Sequence, residues 1–253
     1  MTYSQATYLA QLNAQQEAAL QRYGLATVVD VTDELVSLET AYAHLRIDAD
    51  SSGSTDDPWL QEFIPAAREY CERYLGRALA TRTLELAGNS FPSVAVTSPP
   101  GAVIALPFGP AQAVTAITYQ TEETVVDSNG DPVLDSSGNS STEIVTNTLD
   151  ADDYLLDRYT HPARVVLAPG ATWPAALAAT NSVRIRYLAG YLAEPDSTGL
   201  PVLPRMARAA MLLLLGHWFM NREGVSSDRL AEVPLSVHDL LDLTESRERL
   251  GMA

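Results

Sequence analysis

Apolar positions recur at helical spacing in two separated stretches of this chain, and the period shortens to that of strands between them. Ser37 fits an N-cap, since its hydroxyl can accept from an orphaned backbone N–H, and Leu38, Ala41 and Leu45 then fall on one face, predicting a helix over 37–47. After a polar loop, Asp57-Pro58 supplies an acidic cap and a first-turn proline. Leu60, Ile64, Ala67, Cys71 and Tyr74 form an apolar stripe, and Gly76 can close this second helix (58–76) in a left-handed conformation. Arg68, Glu69, Glu72 and Arg73 lie off the stripe, which predicts a core helix with a wet side. Far along the chain, Pro204 opens a third helix (204–223). Met206, Ala210, Leu213 and His217 follow one of its faces, while Ala209, Leu212 and Phe219 broaden it. Trp59 and Trp218 sit on the two long helices, where packing explains them.

Between these stretches, Thr83–Leu86, Val103–Leu106, Val114–Tyr119, Arg164–Leu167 and Val183–Tyr187 read as strands separated by Pro/Gly-rich turns. Val183-Arg184-Ile185-Arg186-Tyr187 alternates cleanly, giving one buried face and one arginine-bearing face. The fold class is therefore α+β, a small helical bundle with an inserted antiparallel β domain. Domain by domain, 1–31 is an appended N-terminal arm, 32–82 and 201–227 the helical core, and 83–200 the β-rich insertion with a protruding loop at 121–148. The last segment, 228–253, carries Leu235, Val237, Leu240, Leu241 and Leu243 on a short amphipathic helix (235–248). Its apolar face is too small to be stable alone, which suits a docking element. No repeat period is apparent.

Composition sharpens the picture at one point. The 253 residues are 46% apolar, ample for a core, but 32 acidic residues oppose 16 basic ones for a net charge of −16. All the bases are arginine, and the stretch Thr121–Asp157 carries ten carboxylates and no base. Such a chain is repelled by a phosphate backbone, so tight nucleic-acid binding is disfavoured while DNA sliding past without sticking is not. Met1–Leu12 lacks the basic and apolar regions of a secretory signal, and the apolar run Ala209–Met220 falls short of the ~18 residues a membrane span needs. The expectation is a soluble protein made in a cytoplasm.

Candidate chemistry is sparse. Cys71 lies mid-helix on the apolar stripe, away from any helix N-terminus that would activate it, and reads as a buried structural thiol. His44, His161, His217 and His238 show no metal-ligand spacing; His217 reads as a core histidine and the others as surface residues. Asp127, Asn129 and Asp131 mimic the opening of a calcium loop, but Pro132 replaces its turn glycine and Gly138 stands where the bidentate glutamate belongs. Trp173 reads as a loop residue covering the sheet. No catalytic residue, cofactor or metal is predicted.

In ordered sequence, Val36–Ile47, Ala67–Leu79, Leu106-Pro107-Phe108-Gly109-Pro110, Val183–Tyr191 ending in Ala-Gly-Tyr, and Pro204–Glu223 ending in Asn-Arg-Glu resemble the head-tail connector, or adaptor, proteins of long-tailed bacteriophages and gene-transfer particles. The resemblance covers about two thirds of the chain. It implies a structural virion protein, not an enzyme, at the head-tail junction: a ring, expected to be dodecameric, on the portal protein, with a tail-side stopper or tail-completion protein below it and DNA passing through. A stopper or tail-completion protein is the alternative identity, and a small-molecule binding module or enzyme a distant one, requiring a deep pocket with converging polar groups. The residues expected to pack the helical core are Leu38, Leu45, Leu60, Ile64, Ala67, Cys71, Tyr74, Met206, Leu213 and Trp218. Leu235, Val237, Leu240, Leu241 and Leu243 are the expected portal-docking positions.

Overall fold

The computed structural model describes residues 23–48, 53–92, 103–192, 197, 200–222 and 235–249. Most of the expected arm (1–22) and the linker at 223–234 therefore lie outside the described residues. The chain runs through β1 (Tyr23–Val29), α1 (Leu38–Leu45), α2 (Asp57–Leu75), β2 (Arg82–Gly88), β3 (Ile104–Leu106) and β4 (Ala111–Thr124). It continues through β5 (Thr142–Thr148), a short 3-10 turn (Ala151–Asp153), β6 (Tyr154–Asp157), β7 (Ala163–Leu167), β8 (Val183–Ala189), α3 (Arg205–Met220) and α4 (Leu235–Arg249). This is the expected α+β class. Two compact units result, one built from the chain up to Val29 with Thr83–Leu188, the other from Asp30–Arg82 with the chain from Ala189 on.

In the helical unit, Leu60, Ile64, Ala67 and Cys71 of α2 meet Ala207, Ala210, Met211, Leu214 and Leu215 of α3 in one core, with Leu38, Leu45 and Trp218 packed against it. Ser37 caps α1 as expected, its hydroxyl accepting from Thr40 N at 3.2 Å. Asp57 is the first residue of α2 rather than its cap; its carboxylate instead accepts from Ser54 N at 3.1 Å and from the Tyr42 hydroxyl, tying α1 to the start of α2. Three of the expected core positions are corrected. Tyr74 is 42% and Leu213 39% exposed, and Met206 is only half-buried. The buried face of α3 runs through 207, 210, 211, 214 and 215, rotated from the anticipated one. A helix apolar on nearly every side announces burial but not its rotational phase.

The expected independence of the last helix from the core is also corrected. Val237 and Leu241 are fully buried in the helical core and Leu240 packs against it, while Leu235 stays 80% and Leu243 51% exposed. Tyr70 pairs its hydroxyl with His238 Nε2 at 2.8 Å, Tyr74 donates to Asp242 Oδ1 at 2.8 Å, and the His238 ring stacks on Tyr74 at 5.1 Å. A face too small to sustain an isolated helix suffices once α2 and α3 flank it.

Arg68 and Glu72, expected on the wet side of α2, are buried at its C-terminal end. The Glu72 carboxylate accepts from Arg68 Nη1 at 2.8 Å, from Arg82 Nη2 at 2.7 Å, and from Leu79 N and Ala80 N at 2.9 and 3.3 Å. Arg68 reaches on to Glu34 through Nε at 3.0 Å. Burial works against the Arg68 guanidinium's charge, but Glu34 and Glu72 outweigh it and raise the pKa above its ordinary value. Gly76 ends α2 at φ 63°, and Gly190, at φ 116°, lets the chain after β8 approach within 2.3 Å of Ala80 O where a Cβ would stand. That approach permits the Tyr191 N to Leu79 O bond of 2.9 Å beside Glu72. The Ala-Gly-Tyr signature is therefore a backbone requirement.

The second unit holds a five-stranded sheet in the order β1-β2-β8-β4-β5 and a three-stranded sheet β3-β7-β6. The β1–β2, β4–β5, β3–β7 and β6–β7 ladders are antiparallel. Leu84, Leu86, Ile117, Val183, Ile185 and Tyr187 form the inward face of the larger sheet, and Tyr187 donates its hydroxyl to Pro107 O beyond β3. Tyr23–Val29, read as the end of the arm, is an edge strand of this sheet. β5 and β6 were likewise not anticipated; both sit at sheet edges, with polar or half-exposed side chains that leave a weak alternation.

Replacing Glu72 with alanine leaves Arg68 and Arg82 without their shared buried acceptor, and is expected to lower unfolding free energy by about 3–5 kcal/mol in denaturant titrations. Truncation after Ser227 removes Val237 and Leu241 from the core, each worth about 2–5 kcal/mol. It is expected to abolish the cooperative unfolding transition; a truncated chain with an unchanged midpoint would show α4 to be peripheral.

Candidate assembly surfaces

Cys71 and His238 are engaged in packing. Cys71 is fully buried, and burial, followed by the negative charge of Glu72, pushes its thiol up to about 12. His44 and His161 are exposed, while His217 is half-buried and not a core residue. His238, expected at the surface, is the histidine engaged within the helical unit. Among the described residues no three His, Cys, Asp or Glu side chains converge as metal ligands. The tryptophans are packing residues: Trp59 stacks on Phe63 at 4.2 Å, and Phe63 meets the Trp218 ring edgewise at 5.7 Å. Arg222 closes this aromatic row, its guanidinium 4.0 Å from the Phe219 ring centre and 2.9 Å from Asp56 Oδ1. In the other unit Trp173 stacks on Phe91 at 4.9 Å, and Phe91 in turn meets Tyr119.

What the sheet unit does present is an arm and a groove of opposite charge. The arm is the outer half of the β4–β5 ladder with its connection. Within the connection, Asp127-Ser128-Asn129-Gly130-Asp131 and Asp135-Ser136-Ser137-Gly138-Asn139 form two equivalent turns, an eight-residue repetition missed in the sequence. Asp127 Oδ1 accepts from Asn129 N and Asp131 N at 2.8 and 3.0 Å; Asp135 Oδ1 accepts from Ser137 N and Asn139 N at 2.8 and 2.9 Å. These backbone donors, those from Asp131 and Asn139 foremost, hold both carboxylates below the usual aspartate range. The calcium-like spelling is thus the spelling of an Asx turn. Bridges Val126 to Pro132 and Leu134 to Ser140 fold the connection into a small meander. Along the arm, Glu123 stands directly opposite Glu143 in the ladder, and Val126, Leu134 and Ile144 are exposed.

The groove lies on the solvent face of the same sheet, a space of ≈ 280 Å³ bordered by Glu85, Thr118, Tyr119, Thr146, Arg184 and Arg186. Arg184 and Arg186 are the outward residues that the alternation of β8 anticipated, and each is about half exposed. Glu85 binds Arg186 Nε closely, at 2.6 Å, but stands 3.9 Å from Arg184. Two guanidinium groups thus share one carboxylate.

The burial of Cys71 has a direct chemical readout. A thiol-specific reagent at neutral pH is expected to leave Cys71 unmodified in the folded protein and to titrate one thiol per chain in denaturant. Stoichiometric labelling under native conditions would contradict the packing described here.

Residues 36–145 match the family model of the phage gp6-like head-tail connector proteins. No curated protein matches the chain. Among solved structures, the fold is similar to a chain in the neck of an empty gene transfer agent particle determined with C6 symmetry, at TM-score 0.57 and 22% identity, covering 87% of this chain and 93% of that one. It is also similar to a chain in the virion of a native gene transfer agent particle, at TM-score 0.55 and 22% identity, covering 87% and 94%. The match begins at Val36, beside the capped start of α1, and spans α1, α2, β2, β3, β4 and the start of β5. The family match is thus confined to residues 36–145, and the likeness to the gene transfer agent chains shows a shared fold along most of the chain.

Proposed function

We propose that this chain is a head-tail connector protein, a structural, non-catalytic component of the virion neck that assembles as a ring on the portal vertex, joins it to a tail-side protein and lets DNA pass. The observation that carries this reading is the family match over residues 36–145, joined to a fold shared along 87% of the chain with a protein of a C6-symmetric neck. A six-fold neck accommodates a copy number that is a multiple of six, and the dodecamer is one such number. The net charge of −16 suits a channel that DNA traverses, because a phosphate backbone finds few cations from which to release its counterions. Closed rings use heterologous contacts, in which two different patches meet on neighbouring subunits. For portal docking, the exposed side of α4 remains available through Leu235 and Leu243, since Val237 and Leu241 are committed to the core.

Mixing the purified chain with its portal is expected to give a closed assembly with one ring of adaptor per portal, read by native mass measurement and electron microscopy. A chain that binds a tail-side protein but never the portal would instead favour the stopper reading. In the same assay, Leu235→Asp combined with Leu243→Asp is expected to weaken portal capture at least tenfold without shifting the thermal midpoint. Unchanged capture would move the docking surface off α4.

A further inference from the structure

We infer that the groove beside Arg184 and Arg186 receives the acidic β4–β5 arm of the neighbouring copy of this chain, so that arm and groove form the lateral contact of the ring. The inference rests on the ring reading and assigns its interface.

Four features of the sheet unit point to this contact. First, the arm is strongly acidic: Glu122, Glu123, Asp127, Asp131, Asp135 and Glu143 lie along it, and no lysine or arginine occurs from 121 to 157. Second, Glu123 and Glu143 are direct partners in the antiparallel ladder. Like charges at that spacing repel and weaken the pairing, and nothing of opposite sign within the arm offsets it. A cation from outside the arm would turn that repulsion into a chelating pair. Third, the groove supplies such cations, because Glu85 pairs closely with Arg186 and stands 3.9 Å from Arg184, whose Nε donates to the neutral carbonyl of Asn181 at 3.4 Å, so two guanidinium groups share one carboxylate and leave a local net positive charge. Of the two other arginines described in this unit, Arg164 is taken by Asp157 at 2.9 Å and Arg158 is exposed just after β6, outside the groove. Fourth, Val126, Leu134 and Ile144 expose apolar surface on the arm without covering any core of their own, as expected of a segment that is buried in an assembly.

Charge also selects a second copy over other occupants. A chain of net −16 repels its own copies, so any lateral contact must bring complementary patches together to overcome the general field. Arm and groove are two different surfaces of one chain, as a heterologous ring requires. Guanidinium groups are suited to the task, since their planar fork can bind carboxylates bidentately.

The test uses the full-length chain assembled on its portal, with closed-ring occupancy read by electron microscopy and native mass measurement at about 0.15 M salt. Two double variants are made, Arg184→Glu with Arg186→Glu and Glu123→Arg with Glu143→Arg, together with the quadruple variant that carries both exchanges. Each double variant is expected to retain its thermal midpoint and lose ring closure at least tenfold, and the charge-exchanged quadruple variant to recover it. Full closure by either double variant overturns the inference while leaving the ring reading intact. Loss without recovery in the quadruple variant also overturns it, as does a groove variant that closes rings but loses only its tail-side partner or DNA passage. A wild-type chain that forms no ring on the portal removes the reading on which the inference rests. A wild-type ring unaffected by either double variant removes the inference alone.

Discussion

The Glu72 carboxylate is the constraint around which the helical unit is arranged. One acidic group, 2% exposed, accepts from two arginines and two backbone N–H groups within a single turn of chain beyond α2. A buried ion pair is a poor source of net stability, because desolvating the charges costs about as much as their attraction returns. Its consequence is positional. With Arg68 turned toward Glu34, Arg82 toward Glu72, and the N–H groups of Leu79 and Ala80 held from the same side, the chain beyond α2 is held within the helical unit as far as Arg82. Tyr191 N then bonds Leu79 O across Gly190, so the chain returns to the helical unit beside the point where it leaves.

This arrangement explains what was legible in the sequence and what was not. The four helices were visible because their apolar residues repeat at helical spacing and their ends carry recognisable caps, Ser37 before α1 and Gly76 after α2. Arg68 and Glu72 were misjudged because their partners, Glu34 and Arg82, come from outside the helix and no local pattern reveals them. Tyr74 and Leu213 were misjudged for a different reason. A stripe drawn from one helix cannot anticipate that α4 would share the face of α2, nor which of the many apolar positions of α3 would turn inward. Val237 and Leu241 show the converse, since a short amphipathic helix reads as a free docking element until its two neighbours are known.

Strands divided by depth. β2, β3, β4, β7 and β8 carry buried positions such as Leu84, Ile104, Ile117, Val165 and Ile185, and their β-branched or alternating runs stood out. β1 and β5 are the two edges of the larger sheet, where half the backbone groups face away from a partner; β1 leaves Val28 and Val29 exposed and β5 is largely threonine and polar residues, so neither shows a clean buried face. In β5 the signal is present as Thr142, Ile144, Thr146 and Thr148 on alternate positions, but it lies inside the most acidic part of the chain, where the composition reads as loop. The paired Asp-Ser-x-Gly turns were hidden by their likeness to a cation loop. Their aspartates accept backbone N–H groups through Oδ1, which is the bonding that an Asx turn requires.

Charge and fold are therefore separable in this protein. The helical unit neutralises its buried arginines with Glu34 and Glu72, whereas the sheet unit leaves its charges outward and unevenly divided between arm and groove. Surface ion pairs of the Arg186 to Glu85 kind contribute about 0–1 kcal/mol to folding, so stability of the subunit does not account for this division. Segregated charge acts instead on association, where it sets which surfaces meet, in what register, and how strongly salt weakens the encounter. A subunit of any closed assembly needs a rigid body and surfaces that recognise only their proper neighbours. Here the buried network around Glu72 serves the first requirement, and the polarity of the sheet unit is suited to the second.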